Sequence, residues 1–289
     1  MSSRTTMTGF LLLGFSDIRE LQILHFVVFL LIYLAGLMGN LLIITAIALD
    51  HYLHTPMYFF LVNLSIIDLG SISVTIPKSM IILIAADLAL LTIMAYDRHV
   101  AICQPLHYER VMNRRACVQM ASSAWITGIV YSAVHTGNTF SLPFCQSNVI
   151  NQFFCEIPQL LKLACSDSYL SEAGAIVFSV FLGLNCFVFI IASYIQIFKT
   201  VLRIPSEKGQ HKAFSTCLPH LTVVSLFICT GTFAYLKPTS SSASGLDLMV
   251  GVLYSVVPPM MNPVIYSMRN KEVKTALKKL IVWRFLRDL

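Results

Sequence analysis

Apolar residues run along this chain in long blocks separated by short polar intervals. Stretches free of Asp, Glu, Lys and Arg cover residues 21–49, 116–155, 173–198, 213–236 and 248–268. A helix needs about 20 mainly apolar residues to cross a bilayer, so each of these holds one span. In 116–155 the span ends near Val134, after which Thr, Asn, Ser, Gln and Pro take over. Residues 57–96 are equally apolar but carry Asp68, Lys78 and Asp87. Their length allows two crossings with no loop to spare, or one crossing and a re-entrant stub. In the first arrangement Pro77–Lys78–Ser79 is the outer turn and residues 80–96 form a short third span. In the second the chain crosses six times and its N-terminus lies inside.

Composition narrows the class. Only 12% of residues are charged, 56% are hydrophobic and the mean hydropathy is +0.75. A soluble globular domain carries about a quarter charged residues, and a disordered chain needs low hydrophobicity. The net charge of +6 acts through its distribution. Arg98, Arg110, Arg114 and Arg115, then Lys199, Arg203, Lys208 and Lys212, then the seven basic residues from Arg269 onward make 15 of the 20 Lys and Arg. Excess Lys and Arg mark cytoplasmic loops, which places residues 269–289 in the cytosol. With an odd number of spans, residues 1–23 are an extracellular N-terminus and 135–172 a long extracellular loop. The basic residues flank apolar runs, so the bilayer is the expected partner and nucleic acid is not.

Ionisable groups inside lipid are costly and usually face the bundle interior, which singles out Asn40, Asp68, Asp87, Asp97–Arg98 and Asn262–Pro263. The motifs around them are FLLLGFSD at 10–17, LHTPMYFF at 53–60, LSIID at 64–68 and MAYDRHVAIC at 94–103. PLHY at 105–108, Ser193–Tyr194, KAFSTCLPHL at 212–221 and PPMMNPVIYSMRN at 258–270 follow. In this order the chain resembles the olfactory receptors, a family of rhodopsin-like G-protein-coupled receptors. The resemblance implies an all-α membrane protein, a seven-transmembrane helix bundle in one domain over 1–289. It also implies a multi-pass protein of the plasma membrane that couples a small volatile odorant to a heterotrimeric G protein and raises cAMP.

The resemblance also assigns residues. Arg98 becomes the switch, paired to Asp97 at rest and released toward the G protein, with Tyr194 and Tyr266 as partners. His99 stands where the family usually has Tyr. Asp68 and Asp87, with Asn40 and Asn262 nearby, become a site for a sodium ion or a shared proton, because two carboxylates in low dielectric repel; no other cofactor and no other metal is expected. The bland reading of that pair is a protonated Asp bonded to backbone. Asn262–Pro263 interrupts the last helix and frees carbonyls that polar neighbours must satisfy. Cys145 is expected to pair with Cys165. Cys155 is expected to be unpaired, since no Cys precedes Cys103.

The departure from the family lies between the second and third spans. Two spans and a loop need roughly two dozen more residues than 57–96 supply, so an internal deletion and a shortened third helix are expected. Seven crossings are preferred over six because the later spans keep the family spacing. The deletion removes one wall of the odorant pocket. The remaining candidates are Phe178, Ser179 and Leu182, then Ile228, Gly231, Thr232 and Tyr235, then Val252 and Ser255. Helix-to-helix packing is the plain alternative for each, and Ile228 stands where the family often has Tyr. The tail sets Val273, Leu277, Leu280 and Ile281 at helical spacing among lysines, an amphipathic eighth helix on the inner leaflet.

Three functions follow. One is a signalling odorant receptor. Another is a truncated, folding-impaired receptor, retained in the endoplasmic reticulum or acting only as an interaction partner. A transporter or channel is disfavoured for want of an inverted repeat. Ser, His and Asp are scattered and there is no Gly-rich phosphate loop or HExxH, so no enzyme is expected.

Overall fold

The computed structural model describes residues 11–12, 19–73, 77–141, 149–150, 169–236, 257–266 and 272–279. Six long helices lead the order: α1 (Arg19–Leu49), α2 (Pro56–Ser73), α3 (Pro77–Cys103), α4 (Arg114–Ser141), α5 (Tyr169–Leu202) and α6 (Glu207–Leu236). Residues 257–266 form α7 and residues 272–279 form α8. Short cytosolic turns join them at His51–Leu53 and at Pro105–His107, the latter followed by one helical turn, Tyr108–Val111. Proline opens both α2 and α3, at a position where its missing N–H costs nothing. Asn113 caps α4, its Oδ1 accepting the Ala116 N–H at 3.0 Å, which satisfies one donor left open at a helix start.

Five of the described helices are long and apolar enough, by length and composition, to cross a membrane: α1, α2, α4, α5 and α6. α3 and α7 complete the bundle. At 1.5 Å per residue, the 27 residues of α3 span about 40 Å, whereas the 18 of α2 span about 27 Å. The expectation of a 17-residue third span behind a Pro77–Lys78–Ser79 turn is corrected here. Those three residues are the first turn of α3, because proline fits a helix start better than its middle.

α3 is the central rod, packing against α2, α4, α5 and α6, while α1 lies on α2. Its buried face carries Leu90, Leu91 and Met94, which meet Phe60, Leu64 and Ile67 of α2 and Ile197 of α5 in one core. The opposite faces are apolar and open, as with Phe26 of α1 at 66% exposure and Phe181 of α5 at 63%. Such faces suit a lipid solvent, where tight packing and interhelical hydrogen bonds, not water exclusion, hold helices together.

Two contacts fix the sidedness of the ends. Leu11–Leu12 (β1) pairs in parallel with Val149–Ile150 (β2), so the N-terminal flank shares a face with the α4–α5 loop. On the other face, α8 reaches the turn between α1 and α2, where Lys279 Nζ lies 3.1 Å from Asp50 Oδ2. The two ends therefore lie on opposite faces of the bundle, the arrangement that an odd number of crossings gives. The helices also extend past the flanks drawn from sequence: α1 begins inside 1–23, and α4 and α5 both run into 135–172.

Candidate functional site

Two polar clusters lie along the inner face of α3. The deeper one joins α1, α2, α3 and α7. Asn40 donates from Nδ2 to the Gly36 carbonyl at 3.1 Å and to the Pro259 carbonyl at 3.2 Å. The second bond satisfies a carbonyl left open by Pro263, four residues on, which has no N–H to offer it. Asn262 Nδ2 donates to both oxygens of Asp68, at 3.2 and 3.0 Å. Asp87 is buried beside them and interacts electrostatically with Asp68. Asn40 Oδ1, Asp87 Oδ1 and Asn262 Oδ1 are buried and accept no hydrogen bond. All three are acceptors, in a place where an unmet polar group costs about 1–3 kcal/mol. The cluster named from sequence is thus brought together, with three buried acceptors that meet no donor among the described residues. Among the described residues, no group of three or more His, Cys, Asp or Glu is arranged to hold a metal.

The second cluster sits at the cytosolic end. Its centre is a residue the sequence reading passed over, His220 of α6, which is 1% exposed. His220 Nδ1 lies 2.8 Å from the Tyr194 hydroxyl of α5, and Nε2 lies 2.9 Å from the Leu91 carbonyl of α3. One imidazole therefore ties three helices. Tyr194 and His220 also stack, with ring centroids 5.7 Å apart and planes 20° from parallel. Pro219 precedes His220 inside α6, where it removes one helical hydrogen bond. The signal was present in the sequence as an ionisable residue within the apolar run 213–236.

Around that bridge lie the predicted switch residues. Arg98 acts electrostatically on Asp97, Tyr194, His220 and Tyr266. The ion pair expected between Arg98 and Asp97 is not formed. Asp97 Oδ1 instead accepts from the Tyr108 hydroxyl at 2.8 Å. The Pro105–His107 turn folds the chain back under α3 and delivers that hydroxyl. Burial, then the Asp97 charge, push the Tyr108 hydroxyl above its usual range, so it stays protonated and remains a donor. Among the described residues, the buried Tyr266 hydroxyl meets no hydrogen-bond partner, and neither does Nδ1 of His99.

The pocket candidates divide. Phe178 is 57% exposed, so its expected inward direction is corrected: it stands well around α5 from the buried line Ile190, Tyr194, Ile197. Ser179 and Leu182 are half-buried, and Ser179 hydrogen-bonds Tyr131 of α4. Ile228 packs against the core. Gly231, Thr232 and Tyr235 lie on the last turns of α6, with side chains outside the described residues. Val252, Ser255, Cys145, Cys155 and Cys165 also lie outside them. In α8, Val273 and Ala276 are buried in the bundle core and Leu277 packs beside them. The helix thus docks on protein as well as facing lipid; Leu280 and Ile281 lie beyond the described residues.

A bundle of this kind, with an interior carboxylate pair and an Asp–Arg step at the cytosolic end of its central helix, has the architecture of a seven-helix receptor. The olfactory receptor family profile matches residues 29–90 and 82–284. Human olfactory receptor 14C36 is 48% identical over 97% of this chain and 97% of its own. Human olfactory receptor 14A16 is 49% identical over 97% and 98%, and human olfactory receptor 14A2 is 50% identical over 97% and 96%. The chain belongs to the olfactory receptor family and is a multi-pass membrane protein. These alignments run over 303 positions against 289 residues here, so the relatives carry residues that this chain lacks. The profile match divides at 82–90, in the outer half of α3, in keeping with a deletion beside the second and third spans.

Proposed function

We propose that the chain is an odorant receptor of the plasma membrane whose cytosolic end opens to a heterotrimeric G protein when α6 releases α3 and α5. The observation that carries this is the His220 bridge. With Nδ1 on Tyr194 and Nε2 on Leu91, α6 cannot swing outward without giving up both bonds. Pro219 supplies the hinge beside it. Release frees the Tyr194 hydroxyl, which joins the unpartnered Tyr266 hydroxyl as an acceptor for Arg98. Leu106, 95% exposed in the turn below α3, offers an apolar contact to the G protein, and Tyr108 sets that turn through Asp97.

The ligand is a small, mostly apolar volatile molecule, as befits an apolar pocket with few polar groups. Ser179, Leu182 and Ile228 support this by lying half-buried on α5 and α6. The interior cluster suits a sodium ion or a shared proton. Asp68, Asp87, Asn40 and Asn262 would hold it, and it would supply the positive charge that the three unmet acceptors lack. Expression with a cAMP reporter and a broad odorant panel tests the reading. A response lost in Arg98→Ala at equal surface level is expected. Silence across the panel with the chain at the surface would overturn it.

A further inference from the structure

The motifs at 53–60 and 258–270 contain more than the switch uses, and the chain brings their neighbourhoods together on the cytosolic face. The Tyr58 hydroxyl, at the start of α2, hydrogen-bonds the Glu272 carboxylate at the start of α8. Tyr58 is 1% exposed. Seven residues along α8, Lys279 donates to Asp50 at 3.1 Å and sits 5.9 Å from the Tyr52 ring centroid. Asp50 is held in place by the backbone it caps, accepting from the Tyr52 N–H at 3.2 Å. Between these two points Val273 and Ala276 are buried in the core. Both ends of α8 are thus pinned to one short segment, residues 50–58, and α8 begins six residues after Tyr266.

The geometry points to Tyr58 and Glu272 as positioning residues of the switch, with Asp50 and Lys279 as a second, exposed clasp. Together they latch α8 to the first cytoplasmic turn and so hold the inner end of α7, with Tyr266, in its resting place. The latch acts through α8 and touches neither Arg98 nor the G protein. It rests on the reading of Arg98, Tyr194 and Tyr266 as the switch. Two contacts of different kind are needed because either alone leaves α8 free to pivot about the other. The inner bond is buried on its Tyr58 side alone, and the outer one is open to salt.

The test combines a distance with a signal. Fluorescent unnatural amino acids at Lys278 and Leu106, both exposed, report the separation of α8 from the turn below α3 in the purified full chain. Tyr58→Phe, Glu272→Leu and Asp50→Lys are each expected to lengthen and broaden that separation. The swap Asp50→Lys with Lys279→Asp is expected to restore it, which lost folding would not do. Ligand-independent cAMP is expected to rise about fivefold in Tyr58→Phe, the scale of one hydrogen bond. Unchanged separations in all three single variants would overturn the latch. So would longer separations with cAMP at the wild-type level, provided that Arg98→Ala abolishes that signal. If Arg98→Ala leaves the signal intact, the switch reading fails, and the separations still decide whether the latch exists.

Discussion

Replacing His220 with Leu keeps an apolar group of similar length and deletes both bonds of the bridge. The loss is worth about 1 kcal/mol for each hydrogen bond, plus about 1–3 kcal/mol for the Tyr194 hydroxyl left buried without a partner, together about 3–5 kcal/mol. The Leu91 carbonyl is less affected, since a carbonyl has a second lone pair, which the helix already uses. Tyr194→Phe strands Nδ1 of His220 instead, at a similar cost. The double variant strands neither group, so its destabilisation should fall short of the sum of the singles by about 1–2 kcal/mol. Thermal unfolding of the purified chain in micelles measures the stability side of this cycle. The cAMP reporter measures the other side, where each single variant should raise the ligand-independent signal because α6 is no longer tied to α3 and α5. Additivity of the two substitutions within about 0.5 kcal/mol would refute the bridge as a unit. So would a His220→Leu chain with wild-type basal signal at equal surface level.

Other consequences can be checked more briefly. A Cβ on Gly39 of α1 would lie 3.0 Å from Pro263 Cβ and 3.3 Å from its Cγ on α7. Because a proline ring cannot swing away, Gly39→Ala should cost about 1–3 kcal/mol by overpacking, read as a lower unfolding temperature; an unchanged temperature would show that α1 and α7 do not pack this closely. Asp87→Asn removes one charge from the interior cluster, so the odorant response should lose its dependence on external sodium when choline replaces it; equal sodium dependence in both chains would remove the cation from the account. The bond from Lys279 holds the Asp50 carboxyl below its ordinary 3.8. A lowered value means that the contribution of the pair is present above 3.8 and is lost only as pH falls through the lowered value. The α8 separation should therefore be flat from about pH 8 to pH 5 and widen in stronger acid, and a change between pH 8 and pH 5 would point to another group.

The helices were legible because a bilayer imposes length and composition together: four of the five charge-free runs fall on the spans α1, α4, α5 and α6, the fifth contains α7, and fifteen basic residues pointed to the inner face. The polar interior was legible for the same reason, since Asn40, Asp68, Asp87 and Asn262 have no business in lipid unless they meet one another. His220 obeys the same rule, yet it was hidden inside a motif used only for recognition. The start of α3 differs from the expectation because proline, a turn former, also opens helices, as Pro77 does here. Phe178 was misplaced because helical spacing gives a face but not which face looks inward. The Tyr108–Asp97 bond depends on how a short turn folds back, and the Tyr58–Glu272 bond joins residues 214 apart. Neither distance nor partner can be read from residue type. The pairing of Leu11–Leu12 with Val149–Ile150 was equally unreadable, being two residues on each side.

Whether the bundle, short of its second-to-third loop, still passes through the bilayer seven times is decided most directly by protease protection in sealed endoplasmic reticulum microsomes. A tag ahead of Met1 and a tag after Leu289 are followed in the same preparation, which requires no export to the surface. The N-terminal tag should be protected and the C-terminal tag digested. Digestion of both tags without detergent would put the two ends on one face and contradict the seven-helix receptor described above.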